Sequence, residues 1–302
     1  MKRFGLAILF FIVLCVSPVF ALSIPKTHLV SASWLAQKIN NPHLVIVDVR
    51  SADSYAQGHI PGAVNIAKGK YFQKGYAGNI AHLLDTPSQI TKLFRDNGIS
   101  NNSVVVFYSD GTKGKSYTAA TREFWTAWIY GLRKIAILNG GIAAWISEKR
   151  HLSKAEPKKK KGHFTIKKIS LRAIATWINI YNALATHRIQ LVDAREPAHF
   201  KGTSRDPRLL KHGHIPGAIE ASAWNFTKKT GSYFSIIKAN NARAILAKKG
   251  ISLRKPIIVY CNTGHLASGV WFVTKFLAGA RNVRMYDASM YEYSRMPLPV
   301  AK

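Results

Sequence analysis

The chain has 302 residues, is 47% hydrophobic and carries a formal net charge of +30, from 44 Lys and Arg against 14 Asp and Glu. That hydrophobic share excludes a disordered or low-complexity chain, and the length is enough for two domains. Two cysteines exclude a disulfide-stapled scaffold, and scattered histidines give no ligand cluster of recognisable spacing, so neither metal nor cofactor is expected.

The chain opens on Lys2 and Arg3, an uncharged run from Phe4 to Val16, then Ser17, Pro18 and the small-residue site Val19-Phe20-Ala21. These are the three parts of a secretory signal peptide covering residues 1–21, with cleavage expected after Ala21 and a periplasmic mature protein. An uncleaved anchor is disfavoured, because the apolar run is short for a bilayer span and a breaker follows it. Leu14 stands where a lipid-modified Cys15 would need a small residue, and nothing later approaches a span, so no membrane insertion is expected after cleavage. Cleavage leaves Cys261 as the lone cysteine, which allows no internal disulfide. The charge is then about +28, the two targeting cations having left. Export makes nucleic acid a poor partner for it; a small anion steered by the positive field is the expected one, bound by a monomer.

Ser31 to Asn40 reads as an amphipathic helix capped by Ser31 or Ser33, and Leu44 to Val47 as a strand followed by Asp48 and Arg50. Thr86 to Asn97 is a helix with Pro87 in its first turn and Gly98 closing it. Val104 to Phe107 is a strand, Ala119 to Tyr130 a helix ended by Gly131, and Ile135 to Leu138 a strand. Short apolar strands alternating with helices predict an α/β fold, a parallel sheet covered by helices on both faces.

The pattern then repeats. LVIVDVR and GHIPGA in His43 to Ala63 return as LVDAR and GHIPGA in Gln190 to Ala218, and LFRDNGIS at Leu93 returns as ILAKKGIS at Ile245. The second copy carries an insertion of about ten residues within Lys201 to Lys211. Copies of about 130 residues are domain-sized, not solenoid units. They divide the mature chain into 22–152 and 163–302, joined by the basic linker 153–162, whose lysine run keeps it extended by self-repulsion.

In the second copy, Ile257 to Tyr260 reads as a buried strand ending at Cys261. Asn262 to Leu266 follow as a short polar turn, and Ala267 to Ala278 as an apolar helix stopped by Gly279. Sites in open α/β sheets lie beyond the carboxyl ends of strands. A thiol there meets backbone N–H groups and the positive end of a helix dipole, which favour the nucleophilic thiolate. N–H donors from Asn262, Thr263, Gly264, His265, Leu266 and Ala267 make the expected anion cradle, with Gly264 supplying the tight turn. His265 is either an acid or cation beside the thiolate or a solvent-facing side chain.

With these motifs in order, joined by AATREFW at Ala119, LNGGIAAW at Leu138, the GT…PR insertion at Gly202 to Arg208, YCNTGHLA at Tyr260 and YDASMYEY at Tyr286, the chain resembles the tandem rhodanese family of sulfurtransferases. The resemblance implies two rhodanese-like domains. It also implies transfer of a sulfane sulfur from a donor such as thiosulfate or 3-mercaptopyruvate to a thiophilic acceptor, through a persulfide on Cys261. Where such proteins commonly carry an arginine four residues after the arginine of DAR, this chain has His199; Arg195 and His199 are thus the expected contacts to the anionic donor. Asp193 and Arg195 have counterparts in Asp48 and Arg50, and the presence of the pair in both copies favours a structural role for it. His59 and His214 read as hydrogen-bonded turn residues.

Tyr108 reads as the first-copy counterpart of Cys261, which makes that copy catalytically silent. Phosphatases that share this fold need an arginine six positions after the cysteine; Ala267 stands there. A periplasmic sulfur carrier without steady-state turnover is the alternative to an enzyme.

Overall fold

A computed structural model describes residues 22–67, 69, 83–158 and 160–302. The expected signal peptide lies outside the described residues.

The first half runs β1 (Leu29–Val30), α1 (Ala32–Lys38), β2 (Leu44–Asp48), α2 (Ala52–Gln57), β3 (Val64–Asn65), α3 (Pro87–Asp96), β4 (Val104–Tyr108), α4 (Tyr117–Ile129), β5 (Ile135–Leu138) and α5 (Gly141–Ser147). Its five strands form a wholly parallel sheet in the order β1-β5-β4-β2-β3. Ser31 caps α1 by accepting the Trp34 N–H, and Thr86 caps α3 with Pro87 at its first position.

The second half repeats the plan: β6 (Ile174–Ala175), α6 (Trp177–Thr186), β7 (Gln190–Asp193), α7 (Pro197–Phe200), β8 (Ile219–Glu220), β9 (Thr227–Thr230), β10 (Tyr233–Ile236), α8 (Ala239–Lys248), β11 (Ile257–Tyr260), α9 (His265–Phe272), β12 (Val283–Tyr286) and α10 (Ser289–Tyr293). The parallel sheet β6-β12-β11-β7-β8 has the same order as the first, and β9 and β10 form a separate antiparallel hairpin. The central strand of each sheet, β4 in the first and β11 in the second, is buried end to end, as a sheet covered on two faces requires. Among the described residues, no helix is long and apolar enough to cross a membrane.

The sequence places a turn at Asn262 to Leu266 and a helix at Ala267 to Ala278; the structure shortens the turn and starts the helix earlier. Gly264, in the left-handed conformation at φ 72°, caps α9, so His265 and Leu266 already belong to it. The α-helix ends at Phe272 and continues as a π-helical stretch, Val273–Leu277, in which the Ala278 N–H reaches the Val273 carbonyl. The described residues of the segment 153–162 form neither helix nor strand, but Ser153 pairs with His59 and the Gly162 N–H donates to the Arg95 carbonyl, which fixes both ends.

The halves pack through α4 and α9. Gly269 brings the helices so close that a β-carbon there would lie 2.8 Å from the Tyr117 hydroxyl. Thr121 Oγ1 and Ser268 Oγ are hydrogen-bonded across the contact at 2.9 Å. Buried Arg122 of α4 reaches Asp287 beyond β12. That pair is desolvated, so its loss leaves an uncompensated buried charge.

Candidate active site

Each sheet carries the same buried frame at the carboxyl ends of its central strands. In the second half Arg195 is 1% exposed; its Nε and Nη2 donate to the Asp193 carboxylate, and Nη2 also donates to the Gly213 carbonyl at 2.7 Å. Burial opposes the charge of Arg195, yet the neighbouring Asp193 raises its pKa. The Tyr260 hydroxyl accepts the Ile215 N–H of the second GHIPGA turn at 3.1 Å. In the first half Arg50, Asp48, Gly58, Tyr108 and Ile60 repeat every one of these contacts. His59 and His214 stack on Tyr55 and Phe200 and bond to the carbonyls of those residues, so both hold turns.

This repetition corrects the counterpart of Cys261. Asp48 is in register with Tyr108, and Asp193 with Tyr260. Tyr108 therefore matches Tyr260, and the residue at the thiol's station is Ser109. The next loop agrees, because the Ile142 N–H donates to the Ser109 carbonyl at 2.9 Å as the Met290 N–H does to the Cys261 carbonyl at 3.0 Å. Both strands end in tyrosine, and the sequence-level alignment is off by one residue there.

Cys261 is 1% exposed and forms the floor of a cleft of about 850 Å³ between the halves. Its loop is held from α10. The Ser289 hydroxyl accepts the N–H groups of Cys261 at 3.1 Å and Gly264 at 3.2 Å, and donates to the Tyr286 carbonyl at 2.7 Å. The Gly264 N–H, expected to face an anion, is thus taken by Ser289. Among the described residues, no acceptor takes the N–H groups of Asn262, Thr263, Leu266 or Ala267, which leaves four donors at the mouth of α9 for an anion. Gly264 admits no side chain: a β-carbon would lie 2.7 Å from Arg122 Nη1 and from Asp287 Oδ1.

The Asn262 amide does not face the cleft as a free donor. Its Nδ2 donates to Asp206 at 2.7 Å, and its Oδ1 accepts from Arg195 Nη1 at 3.2 Å. Arg195 lines the cleft, with Asp193, Gly213 and Asn262 on its fork. His199 lines the same cleft, half-buried on α7. The cation that sequence reasoning missed is Arg208, which grips Asp206 through Nε at 2.8 Å and through Nη2. Hydrogen bonding from Arg208 lowers the Asp206 pKa to about 2. Its signal was the insertion, which is present only in the copy that carries the thiol. Ser289 was missed because its partners lie 25 and 28 positions away.

Two parallel-sheet halves with a shared frame, a thiol at one strand end and serine at its twin define a duplicated α/β protein with, among the described residues, a cysteine in one half. Residues 31–148 and 178–296 each match the rhodanese-like domain, and the chain belongs to that family. It is 33% identical over 291 residues to a putative thiosulfate sulfurtransferase of Synechococcus elongatus, covering 94% of this chain and 88% of that protein. It is 29% identical to the sulfur carrier protein TtuD of Thermus thermophilus, covering 91% of this chain and 96% of that one. Among solved structures, SseA from Escherichia coli, described as a 3-mercaptopyruvate sulfotransferase, superposes with a TM-score of 0.76 at 27% identity over 86% of this chain and 98% of that one.

Proposed function

We propose that the protein is a sulfurtransferase that carries sulfane sulfur as a persulfide on Cys261, loaded by thiosulfate, 3-mercaptopyruvate or a related small anion and discharged to a thiophilic acceptor. The observation that supports this best is the setting of Cys261, at the floor of the cleft beneath uncommitted N–H donors and beside Arg208. With thiosulfate, the Cys261 thiolate attacks the outer sulfur; the new S–S bond forms as the donor's S–S bond breaks, and sulfite leaves with the electron pair. The product Cys261–S–S⁻ carries the same single charge as the thiolate, so one N–H cradle serves both states. Arg208 is a cation at every working pH, held by Asp206 where it can meet the donor's charge. Arg195 positions Asn262 and with it the start of the loop.

The first half is catalytically silent in this reading, because Ser109 replaces the thiol and its loop is longer. The protein acts in the periplasm, after cleavage behind Ala21; N-terminal sequencing of fractionated protein beginning at Leu22 is the expected result. Treatment with thiosulfate is expected to add about 32 Da, one sulfur, to the wild type and nothing to Cys261→Ser. Sulfur transfer by the serine variant would overturn the assignment. Likeness to the sulfur carrier favours a second reading, loading without turnover. A single burst of thiocyanate from thiosulfate and cyanide, instead of steady production, would establish that one.

A further inference from the structure

We propose that the silent half supplies the acceptor subsite, taking a thiol that carries carboxylates remote from its sulfur; this rests on the sulfur-transfer reading above. A donor of a few heavy atoms fills only a fraction of the 850 Å³ cleft. Part of its wall is Asp110, Lys113, Lys115 and Ser116 of the loop Asp110–Ser116, seven residues where the thiol half has only Asn262–Gly264. It presents Lys113 and Lys115, which line both the main cleft and an adjoining pocket of about 460 Å³ with Glu196, Trp224 and Phe234. Cys261 lines only the first of the two.

This loop is preformed. The Phe234 N–H of β10 donates to the Gly111 carbonyl at 2.8 Å, and Thr227 Oγ1 of β9 donates to the Gly114 carbonyl at 3.0 Å. A hairpin of the thiol half therefore braces the loop of the silent half. Lys115 Nζ stands over the Trp224 ring, 5.1 Å from its centroid. Among the described residues, no carboxylate forms an ion pair with Lys113 or Lys115, whereas Arg50, Arg195 and Arg208 are each bonded to an aspartate. Two ammonium groups without acidic partners, an aromatic wall and the exposed Glu196 fit a ligand with carboxylates and an ammonium, such as a small peptide thiol.

In the step this subsite serves, the acceptor thiol gives its proton to the outer sulfur of Cys261–S–S⁻ and its own sulfur attacks that atom. The new S–S bond forms as the old one breaks, the electron pair returns to Cys261 Sγ as the thiolate, and the proton leaves with the transferred sulfur.

The test uses S-methylglutathione, which has the carboxylates but no reactive thiol, titrated calorimetrically into the full-length Cys261→Ser protein. Saturable binding is expected, weakened about tenfold or more by Lys113→Ala/Lys115→Ala and within about twofold of the parent in Lys160→Ala/Lys161→Ala, which removes equal charge elsewhere. Equal weakening by both pairs, or no binding to the parent, would overturn the subsite. Loading of the wild type by thiosulfate, read by mass, tests the sulfur-transfer reading separately.

Discussion

Tyr108 and Tyr260 hold the same post in the two halves. Each accepts an N–H from a GHIPGA turn, Ile60 at 3.2 Å and Ile215 at 3.1 Å, and each lies under an arginine whose guanidinium carbon is 5.7 or 5.9 Å from the ring centroid. The residue after each tyrosine, Cys261 or Ser109, therefore decides which half has a thiol at its strand end. Introducing Ser109→Cys into Cys261→Ser is expected to give no persulfide after thiosulfate, because the seven-residue loop lacks the short turn between strand and helix. An added sulfur in the intact mass would show that strand-end position alone suffices.

Ser289 adopts a left-handed conformation, φ 53°, where the first half has Gly141 at φ 58°. Glycine would be the unstrained choice, so the hydroxyl is what the site retains there. Ser289→Gly removes the strain together with the acceptor for two N–H groups. We expect a stability change within about 1–2 kcal/mol and a much larger fall, about tenfold or more, in the rate of persulfide loading. Ser289→Ala keeps the strain and loses the acceptor, and is expected to be the less stable of the two in thermal melts.

Gly264→Ala places a methyl against Arg122 and Asp287 at a positive φ. A destabilisation of about 2–4 kcal/mol is expected from strain and disturbance of the buried pair, read as a lowered Tm. An unchanged Tm would mean that the α4–α9 contact opens without cost.

Arg208 and His199 make separable contributions. Arg208→Ala is expected to raise the thiosulfate KM about tenfold or more and His199→Ala by less, since only Arg208 is a permanent charge. The clamp also predicts a pH dependence of stability. The Asp206 pKa falls from 3.8 to about 2 on folding. Its stabilising contribution is therefore complete above about pH 4 and fades as pH drops toward 2. The Tm gap between wild type and Asp206→Asn is expected to be constant from neutral pH down to about 4 and to narrow below it.

Strands, helices and the duplication were readable because β-branched runs, Gly and Pro stops and the repeated GHIPGA turns are local or self-copying signals. Cys261 was readable for the same reason, as a thiol at a strand end. The mates of its loop were not. Ser289 and Asp206 act on Asn262 and Gly264 across the fold, and Arg122 reaches Asp287 from the other half. Such pairings follow from how sheets stack, which no local period encodes. Ser109 was legible in principle: aligning VVVFY with PIIVY on the tyrosines, instead of on the polar residues that follow, gives it directly.

The π-helical stretch Val273–Leu277 puts one surplus residue into an otherwise regular helix. Each residue of a helix turns its side chain by about 100°, so an extra one re-aims everything after it. Upstream, Gly269 and Ser268 face α4. Downstream, Phe276 enters a ring cluster with His28, Phe124 and Trp128 of the other half, at centroid distances of 4.5, 5.3 and 5.0 Å. Deleting Lys275 would restore the regular winding and swing Phe276 out of that cluster while leaving the loop sequence of Cys261 untouched. The angular setting of one half against the other is thus written as a spare amino acid, a form in which insertions and deletions, more than substitutions, are the changes that reset it.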